Sequence, residues 1–221
     1  MNFGFAEKIN HKLEALDFEG ALEIAVRAME KLSVTKFHEV LGLTFTNQTE
    51  EVAAWVDDFY KLACAEGSVE ALYFEMNEFD INTDIWFIDG FSFSEDGGLD
   101  LEDSEHMDWL SDYDAEAQNI FTLTGFEKLQ ISFSEIEKKE INGDWTDNQQ
   151  DARDWCEQIV ISKFMKLMRD VHKLAKEQQF SWSEIPIYST VHGYDFVVRS
   201  ENNQTKKNSK NSKRTFKWLL K

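Results

Sequence analysis

The sequence predicts an α+β protein in which a mostly antiparallel sheet packs against helices, with one long amphipathic helix near the C-terminus. Apolar residues recur at helical spacing over 5–32, 49–66 and 148–178. They alternate with a period of two over 69–77 and 85–94, which is typical of strands. With 42% hydrophobic residues and 18 Phe, 7 Trp and 5 Tyr, the chain of 221 residues can bury a substantial core.

The first 67 residues are expected to be mainly helical. Two helices are predicted within 5–32, with a break at Asp17–Gly20. Alternating apolar side chains then predict a strand over 37–46. The helical period returns at Thr49, and Gly67 is expected to end that helix, because glycine often follows the last helical turn.

The middle of the chain is expected to hold a hairpin and a long loop. A connection rich in turn-forming residues joins the strands 69–77 and 85–94, which favours an antiparallel hairpin. Residues 95–118, hereafter the acidic segment, show no apolar period and are predicted to be a loop with one short helical turn. A short strand over 119–124 and a helix over 126–136 follow, with a strand as the alternative for 126–136.

The longest helix is predicted to begin near a capping box. Thr146 and Gln149 have the spacing at which each side chain satisfies a free backbone amide at a helix start. The helix that follows is expected to run to about 178 and to form the centre of the core. A last strand pair is expected on either side of His192–Gly193.

Charge is strongly segregated along the chain. The 66 residues from Leu62 to Glu127 contain eighteen Asp and Glu residues and no Lys or Arg, within a total net charge of −19. Such one-sign fields act on partners and on association rates more than on folding. The sequence therefore predicts a non-enzymatic interaction protein that presents an acidic face to a basic protein partner.

Two kinds of partner fit this face: a toxin neutralised by an immunity-type protein, or a nucleic-acid-binding enzyme whose basic groove is blocked by an inhibitor. Carboxylates would take the positions of phosphates, and two aromatic side chains would supply contact area. The predicted binding residues are Asp96, Asp100, Glu102, Asp103, Glu105, Asp108, Trp109, Asp112, Tyr113 and Asp114. An inward position of Trp109 and Tyr113, pinning the segment to the protein, is the alternative.

Two other functions remain open from the sequence. An enzyme could use scattered carboxylates, and Glu75 and Asp89 are the first candidates because each interrupts an apolar strand. Alternatively, the acidity could serve solubility alone, which would explain the total charge but not its segregation.

Metal and cofactor motifs are not found in the sequence. Asp80, Asn82 and Asp84 match the start of a calcium-binding loop, but Ile85 and Phe91 replace its glycine and its last glutamate. Phosphate-binding glycine motifs do not occur, and no cofactor is expected. The two cysteines, Cys64 and Cys156, are expected to be buried free thiols, with a disulfide as the alternative.

Domain organisation and location are also predicted. Residues 1–200 are expected to form one acidic α+β domain, followed by a basic and disordered tail at 201–221. No nucleic acid is expected to bind directly, except through this tail. Without a signal peptide or a long apolar run, the protein is expected to be cytoplasmic and to have no membrane span.

Overall fold

A computed structural model describes residues 3–99, 104–140, 146–194 and 196–200. It confirms the α+β class and the long helix near the C-terminus. The α-helices of the described residues are α1 (Phe3–Glu14), α2 (Phe18–Met29), α3 (Thr49–Glu66), α4 (Glu127–Glu140) and α5 (Asp147–Gln178). Short 3-10 helices are formed by Lys36–Gly42, Thr46–Gln48 and Ser104–Ser111.

The strands form one mixed sheet. They are β1 (Ala71–Met76), β2 (Phe87–Phe93), β3 (Ala115–Glu116), β4 (Phe121–Thr122), β5 (Ile187–Val191) and β6 (Val198–Arg199). Their order is β3-β2-β1-β5-β6, and β4 pairs with β2 beside β3. The predicted hairpin is confirmed, since β1 and β2 are antiparallel. Because β1 and β5 are parallel, the sheet is not purely antiparallel, and a long crossover containing α4 and α5 connects these two strands.

The helices cover one face of the sheet and enclose the main core. Leu72, Phe74 and Met76 of β1 alternate towards this layer and are fully buried. Helix α5 lies at its centre and packs against α2, α3 and β5. The predicted capping box is present: the Thr146 hydroxyl accepts a bond from the Gln149 amide, and the Gln149 side chain accepts one from the Thr146 amide.

The other face of the sheet carries a smaller apolar cluster, and the acidic segment covers part of it. The buried residues of this cluster are Ala71, Tyr73, Phe93, Tyr188 and Val197. Leu99, Trp109 and Leu110 of the acidic segment pack against them. Towards the β1–β2 turn, Glu75, Phe87 and Asp89 on this face are only partly buried and line a cleft, so this end of the face stays accessible.

The strand predicted over 37–46 is wrong. Thr35 and His38 cap a 3-10 helix there, because the His38 imidazole accepts a bond from the Thr35 amide at 3.1 Å. At the end of this helix, the ammonium group of Lys163 donates hydrogen bonds to the carbonyl oxygens of Val40 and Leu43. A local cap at its start and a distant lysine at its end thus hold a compact turn in place of a strand.

The predictions for the cysteines and for residues 126–136 are confirmed in part. Cys156 is buried in α5 as expected, but Cys64 is exposed on α3, and both are free thiols. Residues 126–136 are helical, in agreement with the preferred assignment. The predicted tail at 201–221 lies outside the described residues. In the described part of the chain, no helix has the length and apolar character needed to cross a bilayer.

Candidate functional site

The structure places the Trp109 ring against the sheet, in agreement with the inward position that the sequence analysis left open and not with an exposed anchor. Its ring packs edge-on against Phe93 at 4.7 Å and against Tyr188 at 5.3 Å between centroids. The indole N–H donates to the carbonyl of Gly98 at 3.2 Å. The ring also lies directly against Gly97, where an added Cβ would come within 2.5 Å of it. Trp109 therefore pins the acidic segment to the sheet.

Asp96 also has a structural role, because its carboxylate links the acidic segment to β5 and β6. Its carboxylate accepts a bond from the Tyr188 hydroxyl, and at 3.1 Å one from the Arg199 guanidinium. Burial, followed by the bond to Asp96, raises the pKa of Tyr188. Because an arginine already compensates Asp96, this residue contributes little charge to the surface field.

The rest of the predicted set is partly exposed and partly outside the described residues. The exposed members are Asp108, Asp112, Tyr113 and Asp114. Asp100, Glu102 and Asp103 lie outside the described residues, and the side chain of Glu105 does too. Among the described residues, three carboxylates of the predicted set and Tyr113 are therefore exposed, whereas Trp109 packs against the sheet.

The accessible end of this sheet face contains a cleft of about 330 Å³. Strands β1 and β2 form its floor, and the β1–β2 turn and the residue after β5 form its sides. Its lining consists of Glu75, Asn77, Glu78, Asn82, Phe87, Asp89, Phe91 and His192. Three of these described side chains are carboxylic acids and two are phenylalanines, whereas none is lysine or arginine.

Two carboxylates face each other across the floor of this cleft. Glu75 of β1 and Asp89 of β2 are directly paired in the antiparallel register, and both are half-buried. Burial raises the pKa of Glu75, and the nearby Asp89 raises it further. Burial also raises the pKa of Asp89, with a smaller contribution from Glu116. Like charges directly opposite each other destabilise a strand pair, so this arrangement has a cost to folding.

Polar groups hold Glu75 in place. The His192 Nδ1 atom lies 2.9 Å from a Glu75 carboxylate oxygen, and the Tyr73 hydroxyl also bonds this carboxylate. His192 itself is mostly exposed, with 64% of its side chain accessible. The described partner of His192 is Glu75, from a strand more than a hundred residues earlier.

The acidic segment supplies one edge of the cleft. The Tyr113 ring packs on Phe91 with 4.8 Å between centroids, and its hydroxyl donates to Glu116 at 3.2 Å. Glu116 of β3 is paired with Phe91, which brings a further carboxylate towards Asp89. Tyr113 thus keeps 44% of its surface exposed beside the cleft, and it is the predicted aromatic residue best placed to meet a partner.

A buried ionic cluster fixes the turn that borders the cleft. Asp80 of the β1–β2 turn is 4% exposed and lies 3.4 Å from the guanidinium of Arg153 on α5. The Nε atom of Arg153 lies 3.3 Å from the carboxylate of Glu157, which is fully buried. Burial raises the pKa of Glu157 to about 8. The cluster links the cleft wall to the central helix.

Asn77 fixes the base of the same turn. Its side-chain amide donates to the Ile85 carbonyl at 3.1 Å and accepts from the Phe87 amide at 2.9 Å. These two side-chain bonds restrict the backbone of the turn and fix this border of the cleft. Among the described residues, no group of three or more His, Cys, Asp or Glu side chains is arranged to hold a metal ion.

Sequence reasoning found part of this site. Glu75 and Asp89 were selected because they interrupt apolar strands, and the hairpin pattern could have suggested that they pair. Nothing in the sequence linked His192 to Glu75, because that contact depends on the parallel pairing of β5 with β1. Comparison of this chain with protein-family models, with curated proteins and with solved structures finds no match.

Proposed function

We propose that this protein is a non-enzymatic interaction protein that binds a basic protein partner at the cleft on the open sheet face. A lysine or arginine side chain of the partner would enter the cleft. Its apolar stem would lie along Phe87 and Phe91, and its charged head would lie between Glu75 and Asp89. Long cationic side chains bury their stems against apolar surface in this way.

The observation that carries this proposal is the register pairing of Glu75 with Asp89 in an open cleft. In the free protein, burial opposes the ionisation of both carboxylates; the charge of Asp89 adds to this effect at Glu75, and the charge of Glu116 adds to it at Asp89. A cation between them would remove this repulsion and lower both pKa values, because a nearby opposite charge favours the charged form. Binding would therefore recover free energy that the isolated fold has lost.

The acidic segment would guide the approach of the partner. Asp108, Asp112 and Asp114 are exposed beside the cleft edge formed by Tyr113. Exposed charges of this kind accelerate association and add salt dependence, whereas the buried contacts at the centre determine residence time. A partner whose basic groove binds phosphates would fit both features. The protein would then act as an inhibitor or an immunity-type protein for a toxin or a nucleic-acid-binding enzyme.

The test compares capture of partners from native lysate by three forms of the full chain. These are the unaltered protein, the double variant E75Q/D89N, and the control variant E7Q/E14Q. The control changes the net charge equally, but its exposed glutamates lie on α1 in the helical layer, on the other side of the sheet. We expect one basic protein to be captured by the unaltered protein and the control, and lost with E75Q/D89N.

Cross-linking must then place that protein at the cleft, since capture alone does not locate a binding surface. Raising the salt from about 50 to about 300 mM should weaken capture, because the Debye length falls below the separation of the rim charges from the partner. Equal loss of capture with E75Q/D89N and E7Q/E14Q would indicate a nonspecific charge effect. Capture that persists with E75Q/D89N would refute the cleft as the binding site.

A second candidate function rests on the contact of His192 with Glu75. A partly buried carboxylate with a raised pKa, 2.9 Å from an imidazole, is suited to proton transfer. In that case a small substrate would occupy the cleft, and Glu75 or Asp89 would act as general acid or base. Screening hydrolytic and isomerisation substrates with the unaltered protein and E75Q separates the two candidates. An activity lost in E75Q would favour the enzyme.

A further inference from the structure

We propose that the basic C-terminal tail of this chain, residues 201–221, binds in cis in the cleft, where it competes with an external partner. This inference rests on the proposed function for the identity of the competing ligand. The tail carries seven Lys and Arg residues and one acid, so its charge is complementary to this face.

The described chain ends on the acidic side of the sheet. Arg199 is the first of the basic residues in this part of the sequence, and its guanidinium donates to Asp96 at 3.1 Å. The same group lies 5.4 Å above the Tyr188 ring, within the apolar cluster that the acidic segment covers. The chain therefore leaves the sheet at Ser200 with a cation already placed against this segment.

The register of the sheet gives the distance to the cleft. The Ser200 amide bonds the Ile187 carbonyl, and Ile187 pairs with Leu72 of β1, three residues before Glu75. With strand spacings of about 4.8 Å and a rise of about 3.4 Å per residue, Ser200 lies roughly 14 Å from Glu75. The six residues from Ser200 to Lys206 span at most about 20 Å. Lys206 and Lys207 can therefore reach the cleft.

Tethering makes this contact effective even if it is individually weak. A linker of six residues with random-coil statistics would have a root-mean-square length of about 13 Å, which matches the roughly 14 Å from Ser200 to Glu75. Such tethers give local concentrations in the millimolar range. A lysine of the tail between Glu75 and Asp89 would relieve the same repulsion that an external cation would relieve. Release of the tail would then be part of the free-energy cost of partner binding.

The experiment uses full-length chains and a synthetic peptide of residues 201–221. In the neutral-tail variant, the five cations Lys206, Lys207, Lys210, Lys213 and Arg214 are changed to glutamine. The peptide is titrated into this variant at about 50 mM salt, and backbone amide shifts are followed by NMR. We expect saturable binding, with the largest shifts at Glu75, Asp89 and His192. We expect the unaltered chain to bind the peptide at least ~10-fold more weakly, because its own tail occupies the site.

Two further combinations locate the contact. Adding E75Q/D89N to the neutral-tail variant should weaken peptide binding by about tenfold, whereas adding E7Q/E14Q should leave it unchanged. Equal affinity of the unaltered and neutral-tail chains for the peptide would overturn the cis contact. Peptide binding that survives E75Q/D89N unchanged would overturn the cleft as its site.

This result is separable from the test of partner binding. If the peptide does not bind but a basic protein is still captured through Glu75 and Asp89, the tail inference fails and the proposed function stands. If the peptide binds at the cleft and neither the unaltered nor the neutral-tail chain captures a partner, the proposed function fails and the cis contact stands. If both hold, the neutral-tail variant should capture the partner more tightly than the unaltered chain does.

Discussion

Replacing Glu157 by glutamine tests the buried cluster that holds the wall of the cleft. Glu157 is fully buried in α5, and neither of its carboxylate oxygens has a hydrogen-bond partner in the described part of the chain. Burial raises its pKa to about 8 despite Arg153, whose Nε atom is 3.3 Å away. Asp80 adds to the rise, because Arg153 is shared between the two acids. Glu157 is thus expected to carry a proton at neutral pH.

This protonation makes the free energy of unfolding depend on pH. The unfolded chain ionises Glu157 near the ordinary value of 4.5, whereas the folded protein retains the proton up to about 8. Between these values the unfolded state binds fewer protons, so stability falls as pH rises, by about 1.4 kcal/mol per pH unit. From pH 5 to pH 7 this amounts to about 2 to 3 kcal/mol. Glutamine has no proton to lose, so this dependence disappears in E157Q.

The assay is urea unfolding followed by tryptophan fluorescence at pH 5, 6, 7 and 8. It compares the unaltered protein with E157Q and with E14Q, whose glutamate is exposed. The quantity of interest is the stability of the variant minus that of the unaltered protein. For E157Q it should increase by about 2 to 3 kcal/mol from pH 5 to pH 7, and for E14Q it should stay constant. Parallel curves for E157Q and the unaltered protein would show that Glu157 is ionised in the fold, and would refute the reasoning.

Three further predictions concern the sheet face and the central helix. E75Q and D89N should each stabilise the protein at pH 7 by up to ~1 kcal/mol in thermal unfolding, because like charges repel across the pair. Since the pKa values of both carboxyl groups are raised, this gain in stability should vanish near pH 4. Destabilisation at pH 7 would contradict this prediction. W109A should lower stability by about 2 to 4 kcal/mol in urea and expose the acidic segment to limited proteolysis; an unchanged cleavage pattern would show that another contact pins the segment. T146A should cost about 1 kcal/mol in thermal unfolding through loss of the helix cap, with T49A as the control, since Thr49 provides no such cap.

Local patterns in the sequence predicted most of the fold. The periods of β1 and β2, the helical stripe of α5 and the capping box at Thr146 depend on residues within one or two turns of each other. Such features are decided by short-range sterics and by alternation of apolar side chains, which a sequence displays directly. The error over 37–46 has the opposite origin. Lys163, more than a hundred residues away, binds the carbonyls that end this 3-10 helix.

The candidate site also has features that the sequence predicted and features that depend on contacts between distant residues. The charge segregation and the choice of Glu75 and Asp89 came from composition and from interrupted strands. The position of Trp109 could not be decided from the sequence, because a tryptophan among carboxylates gives the same sequence pattern whether it faces water or packs on a sheet. Its packing against Tyr188 requires a strand nearly eighty residues further along the chain.

The sequence by itself determined the class of fold, the helix and strand content of most segments, and the concentration of negative charge in one stretch. Only the tertiary structure decided where that charge is exposed and where it is compensated. It brought Glu75 and Asp89 into register with each other, placed His192 in contact with Glu75, compensated Asp96 with Arg199, and left the cleft accessible. The physical reason is that pairing between distant strands, unlike helix periodicity or capping, is fixed by the packing of the whole chain.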